Sequence, residues 1–193
     1  FSAHRVLSFR KLGADFIAAS SYKFFGPHTG MVIGKAKHLA ELEPYKVVPA
    51  PEQGPERWET GTQSFESLAG VAAAVDYLAS LGTGADRRER LVSAFTRIRE
   101  HETGLALRFL AGLSEIPAVR GYGLSDPLRV DDRVATFALD VEGVAPRGVT
   151  TRLAEKGIYA WDGDYYAVGV MEHLGKSQTG LVRIGFVHYN TTD

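Results

Sequence analysis

The chain has 193 residues, 45% of them apolar and 23% charged, the balance of a globular protein long enough to bury a sizeable core. Its 22 basic and 23 acidic residues leave a net charge of -1, which offers no field for gripping nucleic acid or an anionic membrane. With no cysteine, these residues hold no disulfide, thiolate zinc site, iron–sulfur ligand or thiol nucleophile. No apolar run approaches the roughly 18 residues that would span a bilayer, and the composition suits a cytoplasmic protein.

In chain order, SFRKLG (8–13) predicts a short helix closed by Gly13. DFIAAS (15–20) and MVIGK (31–35) are short apolar runs bounded by turn residues, as buried strands of an α/β fold are. The stretch 45–63 holds three prolines and two glycines and reads as an irregular loop. From Ser64, apolar residues at Phe65, Leu68, Val71, Ala72, Val75 and Leu78 recur at helical spacing until LGTG. Asp86 opens a second helix with Glu89 three residues on, a capping-box pattern, and its apolar stripe runs to about Leu113. VATFALD (134–140) alternates as a strand, PRGVTTRLAEKG (146–157) is a helix closed by Gly157, and LVRIGFVHY (181–189) is a last strand. The aromatic-rich segment 158–169 between them reads as a loop. Alternating strands and helices predict an α/β class, with LGTGAD (81–86) as the boundary between a sheet-rich first part and a smaller second unit. The chain starts at Phe1 and stops where Thr191, Thr192 and Asp193 read as a helix cap, so part of a longer protein is expected.

Several patterns fail on counting. GMVIGK (30–35) has three residues between its glycines where a phosphate loop has four, and Ala36 follows its lysine where Ser or Thr would hold magnesium. GYGLSD (121–126) and GTGADR (82–87) lack the third glycine of a dinucleotide loop. The six histidines show no i, i+4 pair for a helical zinc site, and no G-x-S-x-G elbow is present.

What remains is SSYKFFGPHTG (20–30). Lys23 sits at a strand end among Tyr22, Phe24 and Phe25, ahead of a Gly26-Pro27 turn. A desolvated lysine amine becomes a nucleophile able to form a Schiff base with a carbonyl compound. A lysine snorkelling at the rim of a sheet gives the same local pattern. Composition leaves both readings open.

DFIAASSYKFFGPHTGMVIGK strongly resembles the Schiff-base segment of the class V aminotransferases, a pyridoxal-phosphate group of fold type I that includes cysteine desulfurases and isopenicillin N epimerase. RWETGTQSFESLAGVAAAVDYL is similar to that family's segment leading into the helix between its large and small domains, and LVRIGFVHYNT is similar to its closing strand. The resemblance implies an α/β fold of three parts. Residues 1–63 would end a large cofactor-binding domain, 64–85 would form an interdomain helix, and 86–193 a small C-terminal domain. It implies pyridoxal 5'-phosphate as cofactor, with Lys23 as the Schiff-base lysine and proton carrier. Ser20 and Tyr22 would bind the cofactor phosphate, Thr62 would reach the phosphate of a partner subunit in a homodimer, and Arg183 would clamp the carboxylate of an amino-acid substrate. The family's pyridine-nitrogen aspartate, ring-stacking residue and phosphate turn would lie before residue 1. One departure stands out: the desulfurases carry a mobile cysteine ahead of the last strand, whereas this chain has AWDGDYYAVG, with Trp161, Asp162, Tyr165 and Tyr166. That form resembles the desulfurase-like branch. The loop reads either as an aromatic plug between domains or as a substrate-pocket wall. The implied activity is that of a pyridoxal-phosphate enzyme on an amino acid, by elimination, amino transfer or epimerisation. The alternative is a non-catalytic binding or regulatory partner.

Overall fold

In the computed structural model, residues 1–192 are described, so the cap expected at Asp193 lies outside the described residues. The chain is of mixed α and β structure and divides into two compact units, Phe1–Thr96 and Arg97–Asp193. No helix of the described residues is long and apolar enough to cross a membrane.

The first unit begins with α1 (Phe9–Leu12), capped by the Ser8 hydroxyl and closed by Gly13 in the left-handed region. Strands β1 (Phe16–Ser20) and β2 (Gly30–Gly34) pair antiparallel, with Ser20 opposite Gly30 and Phe16 opposite Gly34. Burial of both strands was the expectation. Instead Val32 is 68% and Ile33 49% exposed. Lys35, the lysine of the failed phosphate pattern, pairs with Asp15 at 2.6 Å and staples the open end of the hairpin. Helix α2 (Ala36–Glu41), absent from the sequence reading, anchors the irregular loop after it: Trp58 Nε1 donates to Leu39 O and the Arg57 guanidinium to the carbonyls of Ala40 and Leu42. Helix α3 (Phe65–Ser80) follows and buries Ala74, Leu78 and Ala79.

Helix α4 (Arg87–Ser114) opens on the expected cap. Asp86 Oδ1 accepts the Glu89 N–H at 2.8 Å, and Glu89 Oε2 reaches back to the N–H of Ala85, one residue earlier than the standard box. Gly82 lets the α3–α4 turn close, since a Cβ there would fall 2.1 Å from Arg90 O. The division between units falls inside α4.

The larger sheet belongs to the second unit. It contains β3 (Val119–Tyr122), β4 (Thr136–Val141), β5 (Trp161–Gly163) and β6 (Leu181–Gly185) in the order β3-β4-β6-β5, every pairing antiparallel. Helix α5 (Pro146–Ala154) lies between β4 and β5, and α6 (Val168–His173) between β5 and β6. Alternation along β4 and β6 turns Phe137, Leu139 and Val182 inward at 4% exposure or less. Phe137 packs with Ala106 and Leu110 of α4, with its ring 4.5 Å from that of Phe109 and 6.0 Å from that of Phe186. The Arg133 guanidinium covers its other side, 3.9 Å from the ring centroid, and donates to Leu124 O and Thr136 O. Phe137→Ala should therefore cost about 3–5 kcal/mol, read as a drop in the urea midpoint of the second unit.

Candidate functional site

Two constellations emerge, one in each unit. In the first, β1 runs into a single 3₁₀ turn at Ser21–Phe24, and β2 begins at Gly30. Ser21 is fully buried and holds this connection together. Its N–H donates to Thr29 O at 2.9 Å, its hydroxyl faces Pro27 O and Thr29 O (3.1 Å to the latter), and its own carbonyl accepts the Gly26 N–H at 2.9 Å. A Cβ at Gly26 would sit 2.9 Å from Ser21 Cβ, so the return of the chain here demands glycine. Phe25, at φ 70, takes the left-handed conformation that a bulky residue seldom adopts. Helix α3 backs the turn: Gly70 leaves room for the Pro27 ring, and the Phe25 and Tyr77 rings meet edge-on at 6.2 Å.

On this support Lys23 is exposed, with Nζ 5.5 Å from the centroid of the Tyr22 ring. Tyr22 beside it is itself 49% exposed, while Phe24 and Phe25 are half-buried. Tyr22 stacks on His28, ring centroids 5.1 Å apart and 29° between planes. His28 escaped the sequence reading. Only the hairpin pairing, which sets Ser20 against Gly30 and Ser21 against Thr29, brings 22 and 28 together. Ser20 ends β1, and its hydroxyl makes no capping bond to the turn that follows. Ser20, Tyr22 and Lys23 thus share one short connection. Thr62 lies exposed on the irregular loop, two residues ahead of Ser64 at the start of α3 and next to Gly61 at φ 120.

The second constellation occupies the outward face of the four-stranded sheet. Cross-strand register aligns Tyr122 of β3, Ala138 of β4, Arg183 of β6 and Trp161 of β5 in one row. Directly paired residues project from the same face, so Arg183 stands between a small neighbour and a large aromatic one. Both Arg183 and Trp161 are exposed. The segment expected to be a loop holds β5 and begins α6. On the inner face, Asp162 ties β5 to α5 through Thr150 Oγ1 at 2.8 Å and Arg147 Nε at 3.1 Å. After it, Tyr165 and Tyr166, at φ 56 and 60, form a tight turn closed by the Ala167 N–H donating to Asp164 O at 2.8 Å. Two left-handed central residues define a type I′ turn, which normally takes Asn and Gly.

Farther along this face, Asp140 is held by Lys176 Nζ at 2.5 Å and by the Tyr122 hydroxyl at 2.9 Å. Burial by itself pushes the Asp140 carboxyl up. The hydrogen bonds from Lys176 and Tyr122 outweigh it and hold the group below the usual carboxylate range.

A family model described as aminotransferase class-V matches residues 2–193. Among curated proteins, an aminotransferase-like protein of Gibberella zeae is 28% identical over the whole chain, and a probable cysteine desulfurase of Halalkalibacterium halodurans is 28% identical over 98% of it. These matches cover 46% and 45% of the two relatives, so the chain spans about half the length of the curated relatives it matches. Of solved structures, a cysteine desulfurase from Thermococcus onnurineus superposes with a TM-score of 0.83 at 26% identity, covering 99% of this chain and 46% of that one. A cysteine desulfurase from Escherichia coli gives 0.76 at 25%, covering 98% and 45%.

Two outcomes follow from this geometry. Ser21→Ala should cost about 1 kcal/mol and accelerate amide hydrogen exchange at Ser21 and Gly26; unchanged exchange would show that the hydroxyl does not hold the turn. Because the Asp140 pKa is depressed on folding, its stabilisation is present above the unfolded value near 4 and is lost as pH falls through the folded value. Lys176→Met should therefore lower stability in neutral urea melts, with the gap to the parent closing below about pH 4.

Proposed function

The chain belongs to the aminotransferase class-V family, and from that premise we propose that it is the C-terminal half of a pyridoxal-phosphate enzyme acting on an amino acid. One observation carries the reading: an exposed primary amine, Lys23, and an uncapped hydroxyl, Ser20, lie on one turn whose backbone is fixed by a buried serine. That donor set fits the cofactor, since an amine suits its aldehyde and a hydroxyl suits its phosphate. When bound, pyridoxal phosphate supplies an electron sink for the charge left as a bond to the amino-acid Cα breaks.

This chain's residues do the remainder. Lys23 Nζ holds the aldehyde before substrate enters, then serves as the base that takes and returns the proton at Cα. Ser20 Oγ donates to the phosphate. The Tyr22 hydroxyl is a second donor, and its ring is oriented by the stack on His28. Thr62 Oγ1 donates to the phosphate bound by the partner subunit of a homodimer. Arg183 receives the substrate carboxylate, whose two oxygens match a guanidinium fork. In this reading the first unit ends a cofactor-binding domain and the second contains the small domain. The 193 residues contain no cysteine, so no thiol of this segment takes part, and desulfuration-like elimination, amino transfer and epimerisation are the reactions this reading holds open.

The test uses the full-length protein loaded with pyridoxal phosphate. The parent should show a protein-bound absorbance band and retain cofactor covalently after borohydride reduction. Lys23→Ala should lose covalent retention entirely and reduce turnover of amino acids at least a thousandfold, which corresponds to about 4 kcal/mol. Covalent retention undiminished in Lys23→Ala would sink the assignment. A parent that binds no cofactor would favour the binding-partner alternative.

A further inference from the structure

The Arg183 guanidinium does not extend freely from β6. Its Cζ lies 5.4 Å from the centroid of the Tyr165 ring, within cation–π range. Tyr165 is in turn fixed at both ends. Its backbone is locked in the left-handed region by the turn that Ala167 closes on Asp164, a turn braced by the Tyr166 N–H donating to Asp164 Oδ1 at 3.0 Å. Its hydroxyl lies 2.7 Å from Trp161 O on β5 and 2.6 Å from Leu181 O on β6, so the phenol bridges the two strands on either side of their pairing. Burial first, and Asp162 second, push this phenol up to about 12, so the O–H donor persists throughout the physiological range. Leu181, on the same face two residues before Arg183, is buried at 1% exposure, whereas Arg183 is exposed. The cover over this face therefore stops just short of the guanidinium.

We propose that Tyr165 is the positioning residue of Arg183. Its ring holds the guanidinium over the open row between Ala138 and Trp161, and its hydroxyl fixes the ring to β5 and β6. An arginine kept in place loses less side-chain freedom when a planar anion docks, so binding is stronger and more selective for the fork geometry. That the docking anion is a substrate carboxylate rests on the function proposed above. That Tyr165 orders Arg183 does not.

The experiment has two arms that separate these claims. In the first, 15N relaxation of the Arg183 Nε–H is measured in the full-length protein, with Arg183→Lys assigning the resonance and exposed Arg152 as internal reference. Arg183 should be markedly more ordered than Arg152 in the parent. Tyr165→Leu should reduce it to the Arg152 level, and Tyr165→Phe, which keeps the ring, should fall between. Should Tyr165→Leu fail to fold, the Phe variant decides. Equal order of Arg183 and Arg152 in the parent, or unchanged Arg183 order in the variants, overturns the proposal.

In the second arm, cofactor-loaded full-length protein is titrated with L-alanine and with L-alaninamide, which lacks the carboxylate. Tyr165→Leu should weaken L-alanine binding about tenfold while leaving the amide within about twofold. Equal weakening of both ligands would mean a merely structural role and overturns the proposal. If Arg183→Lys leaves the preference for L-alanine over its amide intact, the carboxylate assignment falls, and the first arm still decides whether Tyr165 orders Arg183.

Discussion

Side chains along an antiparallel strand alternate between faces, and in the second unit this period of two sets which residues of β4 and β6 pack inward and which join the Arg183 row. Val182 has no exposed surface, and its neighbour Arg183 faces out. Phe137 and Leu139 pack inward while Ala138, between them, lies in the Arg183 row. A slip of one residue would bury a guanidinium and expose the core, so register is enforced by the hydrophobic free energy of the opposite face. The Tyr122–Ala138–Arg183–Trp161 row is thus a consequence of core packing on the side away from it. Asp162 extends the rule. By facing inward to Thr150 and Arg147 it fixes which way β5 lies, and hence that Trp161 turns outward beside Arg183.

The first unit reaches a comparable definition by other means. Its two strands have little cover, and the β1–β2 connection depends on hydrogen bonds converging on one serine. A buried hydroxyl makes a good latch because leaving its partners unmatched is costly, whereas apolar contacts are tolerant of direction. Directionality is what a site built on one lysine requires. Gly26 and Gly70 contribute by omission, each leaving space that a single methyl group would fill.

The long elements were legible because their signals are periodic. Helix α3, the start of α4 with its Asp86–Glu89 cap, β1, β2, β4 and β6 all announce themselves by spacing or end chemistry. Among short elements, only those with end chemistry were, as α1 is between Ser8 and Gly13. β3 and β5 have four and three residues, too few for alternation to register, and both exist because β4 and β6 supply partners from far along the chain. α2 and α6, with six residues each, lack capping side chains to mark them. At the candidate site, the Lys23 turn was visible in its Gly-Pro chemistry. The latch at Ser21, the Tyr22–His28 stack and the Tyr165–Arg183 contact were not, since each joins residues that only folding makes neighbours.

The Asp164–Ala167 turn shows how magnitudes separate structural from functional reasons for a residue. A left-handed conformation costs a non-glycine residue on the order of 1–2 kcal/mol. Tyr165 recovers a similar amount, about 0.5–1.5 kcal/mol from its hydroxyl bond and about 0.5–1 from the arginine over its ring. Tyr166, fully exposed at φ 60, has no burial to set against the same cost. Asn-Gly would close this turn more cheaply. Stability alone therefore does not account for two tyrosines here. The Tyr166 N–H bond to Asp164 Oδ1 is one that any residue with an N–H at 166 would make, so the contacts account for the turn and not for the ring. The same turn supports Tyr165 under the arginine on the open face of the sheet.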